Sequence, residues 1–339
     1  MASVLARIDD GVCGQAGPTV RFLSGIHRPM EAELTLTQLE VRGTIPPALS
    51  GRYLRIGPNP VDADPASYHW FTGDGMVHGL ALSEGKAHWY RNRWIASQAN
   101  AAARGTMPAP EPHHGPTDTV NTNVVDLAGR TFALVEGSSY AWNPAHRARV
   151  GLIPRDGDQH AIIWCNVDPA YVFHVANAHD LPGGPDATSR GLERWTLDPA
   201  TGTTTIRTID AAPQEFPRID ERRFGQAYRY AYAMAVQADR RFQSAGRLYK
   251  YDLVEGVRQV HDFGAGRHPG EFVFVPAHAD AGEDEGWLIG FVIDEAGDTT
   301  ELVILDAANF DRSPVATVRL LHRIPPGFHG NWINGGGAQ

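Results

Sequence analysis

Cysteine is nearly absent. Cys13 and Cys165 are the two in a chain of 339 residues, and their wide separation excludes a zinc knuckle, a redox pair or a disulfide framework. A reducing cytosol is therefore the expected home. Long apolar runs are lacking as well: no stretch approaches the roughly 18 residues of a membrane span. Met1 to Asp10 carries no apolar core of the kind a signal peptide needs, so neither export nor a membrane span is expected. Basic clusters are missing too. With 30 Lys+Arg against 39 Asp+Glu, the net charge is −9, which argues against nucleic acid as a partner because phosphate binding needs a basic face. There is no Walker-type loop and no Gly-x-Ser-x-Gly elbow, and His146, His160, His261, His268, His278 and His322 are scattered without ligand spacing.

What the chain does contain is turn residues, 36 Gly and 24 Pro, set between short alternating segments from residue 50 onward. That pattern predicts an all-β fold. Met76 to Ser83 and Ala87 to Trp94 flank Glu84-Gly85-Lys86, which is hairpin chemistry. The same grammar recurs around Leu127-Ala128-Gly129, Asp198 to Gly202, Val254-Glu255-Gly256 and Glu295 to Asp298. Hairpin after hairpin over two hundred residues points to radial repetition, as in a β-propeller, with a sandwich or jelly roll as the competitor. No fixed-period repeat is visible. Residues 46–339 are expected to form one domain, with residues 1–45 as an N-terminal arm and Ser97 to Pro116 as loop outside the strands.

Two separated histidines stand out for chemistry. His174 lies in the apolar run Tyr171-Val172-Phe173-His174, where a hydrogen-bonded core imidazole is the commoner reading of the residue alone. His329 follows Pro325-Pro326-Gly327-Phe328, where a turn histidine is the commoner reading. Glu136, Glu215 and Glu271 each sit at the end or start of an apolar segment, and each alone reads as a solvated strand end. Imidazoles backed by carboxylates are nonetheless how proteins hold redox metals, because the carboxylate takes the second ring N–H and fixes the tautomer. Asp74 and His78, in Gly73-Asp74-Gly75-Met76-Val77-His78, read as structural: a tight turn and a buried imidazole at the start of a strand.

Taken together, Gly51 to Pro60, Phe71 to His78, Asn121 to Val125, Arg149 to Arg155, Tyr171 to Asn177, Glu193 to Asp198, Pro213 to Glu221 and Ile324 to Trp332 resemble the carotenoid cleavage oxygenase family. That family includes lignostilbene and apocarotenoid dioxygenases. The resemblance implies a seven-bladed propeller holding Fe(II) on four histidines, three of them supported by glutamates. His174 matches the third ligand and His329 the fourth. Glu215 matches the partner of His174, Glu271 that of His329, and Glu136 the glutamate supporting the second ligand.

The first and second ligands have no counterpart. Gly137, Ser138 and Ser139 stand where roughly two blades, at some 40 to 50 residues each, are expected. An internal deletion near 137–140 and a ring of fewer or incomplete blades follow. The implied activity is Fe(II)-dependent cleavage of a conjugated C=C bond of a carotenoid, apocarotenoid or stilbene-type substrate with O₂, with no catalytic residue beyond the metal site. An apolar polyene or stilbene partner and peripheral membrane contact come with that reading. The alternative from the same residues is a non-catalytic propeller remnant, because two imidazoles are few for a metal site; a propeller hydrolase using a carboxylate and a divalent metal is a third.

Overall fold

A computed structural model describes residues 22–109, 119–127, 129–135, 148–153, 159–167, 174–176, 191–237 and 243–335. Its strands are antiparallel and fall into six sheets among the described residues. The expected hairpins form. Gly75–Ser83 and Lys86–Trp94 pair across a two-residue loop in which Glu84 and Gly85 both have positive φ, 52° and 71°. Such a loop matches the right-handed twist of the flanking strands. The loops at Gly129, Gly202 and Gly256 also place glycine in the left-handed region, between Asn123–Leu127 and Arg130–Leu134, Leu192–Asp198 and Thr203–Asp210, and Ser244–Asp252 and Val257–Asp262.

Three sheets are large. Five strands run in the order Thr35–Leu36, Lys86–Trp94, Gly75–Ser83, Gly51–Pro58, Gly330–Asn334. The last of these is close to the C-terminus, so strands from the two ends of the described fold pair with each other. Gln214–Arg218, Tyr230–Val236, Ser244–Asp252 and Val257–Asp262 form a second sheet. The third is built on Gly286–Asp294 and Thr299–Asp306, and its alternation decides the packing. Ile289, Phe291, Leu302 and Ile304 face the five-stranded sheet, against Tyr53, Leu80 and Tyr90. Leu288, Val292, Val303 and Leu305 face the four-stranded one, against Tyr232, Met234 and Leu248. A strand covered on both faces reads as an unbroken apolar run, which Trp287 to Ile293 does. Each such side chain contributes about 1.5–3 kcal/mol of burial.

The remaining sheets have two strands each: Asn123–Leu127 with Arg130–Leu134, Ala148–Leu152 with Ile163–Val167, and Leu192–Asp198 with Thr203–Asp210. The first two carry exposed apolar side chains, Leu127, Leu134, Ile163 and Trp164 among them. These two flank residues 137–140, where the sequence implies missing blades.

Two expectations need correction. Residues 22–45 are not an arm outside the strands, for Thr35–Leu36 pairs with Lys86–Trp94 and Glu40–Gly43 pairs with Ala316–Leu320. Glu40–Gly43 is exposed at every position, so it carries no alternation to read; backbone pairing holds it, with a Glu40–Arg319 ion pair at 3.7 Å across the ladder. The stretch from Ser97 contains a helix, Gln98–Arg104, capped by Ser97 accepting from the Asn100 N–H and closed by Gly105 at φ 64°. No helix among the described residues is long and apolar enough to cross a membrane.

Candidate metal centre

The chain's two singled-out histidines meet. His174 Nε2 and His329 Nε2 lie 3.3 Å apart, although 155 positions separate them in sequence. The outward nitrogen of each ring is held by an acid. His174 Nδ1 donates to Glu215 Oε2 at 2.7 Å, and His329 Nδ1 donates to Glu271 Oε1 at 3.1 Å. Both rings are partly buried, with side chains 24% and 18% exposed, and Glu271 is 1% exposed.

Local structure explains how the residues arrive. His329 immediately precedes the strand Gly330–Asn334, and its carbonyl accepts from the Ile56 N–H while its own N–H donates to Thr122. Glu215 lies on Gln214–Arg218, where a register shift separates it from Arg218. At that irregularity Phe216 takes a φ of 54°, a conformation costing a non-glycine residue roughly 1–3 kcal/mol. Its ring contacts both imidazoles, with centroids 5.0 Å from His174 and 5.4 Å from His329.

Glu271 is anchored from three sides. Besides His329, it accepts from the Gly330 N–H at 2.7 Å and from Arg218 at 3.4 Å. Burial alone would raise its pKa, but the Arg218 charge, His329 and the Gly330 N–H hold it at about 2. Arg218 also donates to Asn331 Oδ1 at 2.8 Å and to Glu221. It sits on the strand that carries Glu215 and reaches the acid that backs His329, so one guanidinium ties the two imidazole–carboxylate pairs together.

The consequence is electrostatic. An ionised carboxylate can only accept hydrogen bonds, so each Nδ1 carries a proton and, in the neutral ring, each Nε2 presents a lone pair. Two lone pairs facing at 3.3 Å repel unless a cation lies between them, either a proton on one ring or a metal ion. Metal–imidazole bonds of about 2.1 Å span that separation at an angle of about 105°, within the ordinary range for two ligands on one ion. The residues present therefore fit a metal. Among the described residues no group of three or more His, Cys, Asp or Glu converges to hold an ion. Glu136 and His146 lie outside the described residues.

Reading the sequence gave Phe216 and Arg218 no role. Their importance comes from a backbone irregularity and from contacts 53 and 113 positions away, neither of which has a local signature. Asp74 and His78 are structural, as expected. Asp74 accepts from the Val61 N–H, and His78 is buried against Tyr90 Oη at 2.9 Å, with burial pushing its pKa well below the usual value. His78 lies within the strand Gly75–Ser83 rather than at its start.

A multi-sheet β fold with an acid-backed imidazole pair joining remote segments defines a class, and comparison with known proteins identifies it. The chain belongs to the retinal pigment epithelial membrane protein family, whose family model matches residues 27–141 and 180–334. It is 29% identical to a carotenoid cleavage oxygenase of Mycobacterium tuberculosis over 493 aligned positions, covering 92% of this chain and 97% of the relative. That alignment is longer than the chain, so the relative contains segments with no counterpart here. An apocarotenoid-15,15'-oxygenase of Synechocystis is 30% identical over 221 residues, 58% of this chain and 45% of that protein. Among solved structures, cobalt-substituted Synechocystis apocarotenoid oxygenase superposes with a TM-score of 0.77 at 21% identity, covering 90% of this chain and 97% of the other. The lignostilbene dioxygenase of Pseudomonas brassicacearum gives 0.79 at 18% identity, covering 95% and 100%. The fold is thus that of the family's β-propeller, here in a shortened chain of an enzyme family.

Proposed function

We propose that this chain is an Fe(II)-dependent oxygenase that cleaves a conjugated C=C bond of an apolar polyene or stilbene-type substrate with O₂, with His174 and His329 as iron ligands. The observation that carries the reading is the pair of Nε2 atoms facing each other at 3.3 Å. A relative of the same fold has been crystallised in cobalt-substituted form, which supports a divalent-metal site. Relatives named for carotenoid, apocarotenoid and isoeugenol oxygenation support an apolar, conjugated substrate.

When bound, ferrous iron supplies the redox chemistry that activates dioxygen. The chain's own residues do the positioning. Glu215 and Glu271 hold the two rings as Nδ1–H tautomers, which leaves both Nε2 atoms free to ligate. Phe216 covers the imidazoles with an apolar ring and excludes water from that side. In the overall reaction one oxygen atom goes to each carbon of the broken C=C bond. The products are two carbonyl compounds, and the electrons balance without an external reductant.

Ligand count favours a second reading, a remnant that no longer turns over, because catalytic metal sites normally keep three protein ligands. One experiment separates them. The protein is loaded anaerobically with Fe(II), then given ¹⁸O₂ and a panel of stilbenes and apocarotenoids. Labelled carbonyl products that disappear in His329→Ala support the oxygenase. Stoichiometric iron without any product from the panel supports the remnant.

A further inference from the structure

Arg55 is 2% exposed, yet among the described residues no carboxylate lies within ion-pair distance of it. Its guanidinium has five N–H groups, and the hydrogen bond it makes is from Nη2 to the Pro325 carbonyl at 2.5 Å. Nε is buried with no partner. The face of Phe291 lies 5.5 Å away, which offsets part of the charge. A buried cation without an anion is an expensive arrangement, and nothing in the imidazole site explains it.

Space is left beside that group. A small cavity of about 30 Å³, room for roughly two waters or one small polar group, is lined by Arg55, Phe216, His268, Gly270 and Gly327 among others. Two of these are glycines against the guanidinium: a Cβ on Gly327 would lie 2.7 Å from Arg55 Nε, and one on Gly270 would lie 3.9 Å from Nη1. A second polar atom in the same wall is short of a partner. His268 Nδ1 is buried and unbonded, while its Nε2 meets Glu295 at 3.0 Å; as an imidazolium the ring offers Nδ1–H to an acceptor.

We propose that this cavity is a binding site for a carboxylate, held by the open edge of the Arg55 guanidinium. A planar fork of N–H donors matches a carboxylate in geometry and charge. The carboxylate has two sources: a small free anion, or the acidic end of an apolar substrate, since Phe216 lines this cavity and touches both imidazoles. The site needs no metal, so it stands or falls apart from the oxygenase reading.

The test is thermal unfolding of the full chain in formate, acetate and cinnamate against chloride at matched ionic strength and pH, fitted for saturation. Wild type is expected to show a saturable rise with at least one carboxylate, and Arg55→Met to weaken the apparent affinity at least about tenfold, the size expected for a lost charge-assisted contact. Should Arg55→Met fail to fold, Gly270→Ala serves. Its Cβ meets nothing closer than 3.6 Å, so the fold survives while a methyl group intrudes beside Nη1, and at least about threefold weaker binding is expected. His329→Ala should respond as wild type does. Tighter cinnamate than formate assigns the site to a substrate end; the reverse assigns it to a free anion. A response that does not saturate, or one identical in Gly270→Ala and wild type, overturns the proposal.

Discussion

Replacing Glu271 by Gln removes one charge at nearly constant shape, and the structure sets the size of the loss. The carboxylate is 1% exposed and its pKa is held at about 2 against an ordinary 4.5. A depression of that size corresponds to about 3 kcal/mol of stability at neutral pH. Because the folded pKa is the lower one, this contribution is fully present above the unfolded value near 4.5 and is lost as pH falls toward 2. The amide adds a second effect, since its NH₂ group cannot accept a hydrogen bond and must replace one of the two oxygens that accept from the His329 Nδ1–H and the Gly330 N–H. Urea unfolding of metal-free wild type and Glu271→Gln across pH 3 to 8 is the assay. The gap should be about 3 kcal/mol and level above pH 5, narrowing below it. A gap under about 0.5 kcal/mol, or one that does not change between pH 3 and 7, would refute the reasoning.

Arg218→Met should cost about 3–5 kcal/mol in the same assay, because it strands the buried Glu271 charge. Arg218→Lys should recover less than half of that, since an ammonium cannot reproduce the guanidinium's reach to Glu271, Glu221 and Asn331. Phe216→Gly should be more stable than Phe216→Ala by about 1 kcal/mol, as glycine tolerates the φ of 54° without strain; equal stabilities would show that the conformation relaxes in the variants.

The parts of this protein legible in the sequence were those set by neighbours. Glu84-Gly85 announces a hairpin by its turn chemistry, and the loop Glu295 to Asp298 announces the hairpin of Gly286–Asp294 and Thr299–Asp306. Pairing of Gly330–Asn334 with Gly51–Pro58 is invisible locally, since it depends on how the whole ring closes. Strand Glu40–Gly43 is exposed throughout, so side-chain pattern could not mark it. At the candidate site, His174 and His329 read alone as a core and a turn histidine, and the family resemblance rather than their own surroundings singled them out. Arg218 was in view within Glu215-Phe216-Pro217-Arg218, but its work is done across sheets. Phe216 owes its place to a bulge that no propensity predicts.

The measurement bearing most directly on the central claim is an anaerobic Fe(II) titration of wild type, His174→Ala and His329→Ala, followed by metal analysis after desalting and after chelation. One iron per wild-type chain, removable by chelator and lost in either variant, is the result predicted for two lone pairs aimed at one ion. No iron in wild type, or iron content unchanged when either imidazole is removed, would mean that a shared proton fills the 3.3 Å gap and that the pair is not a metal centre.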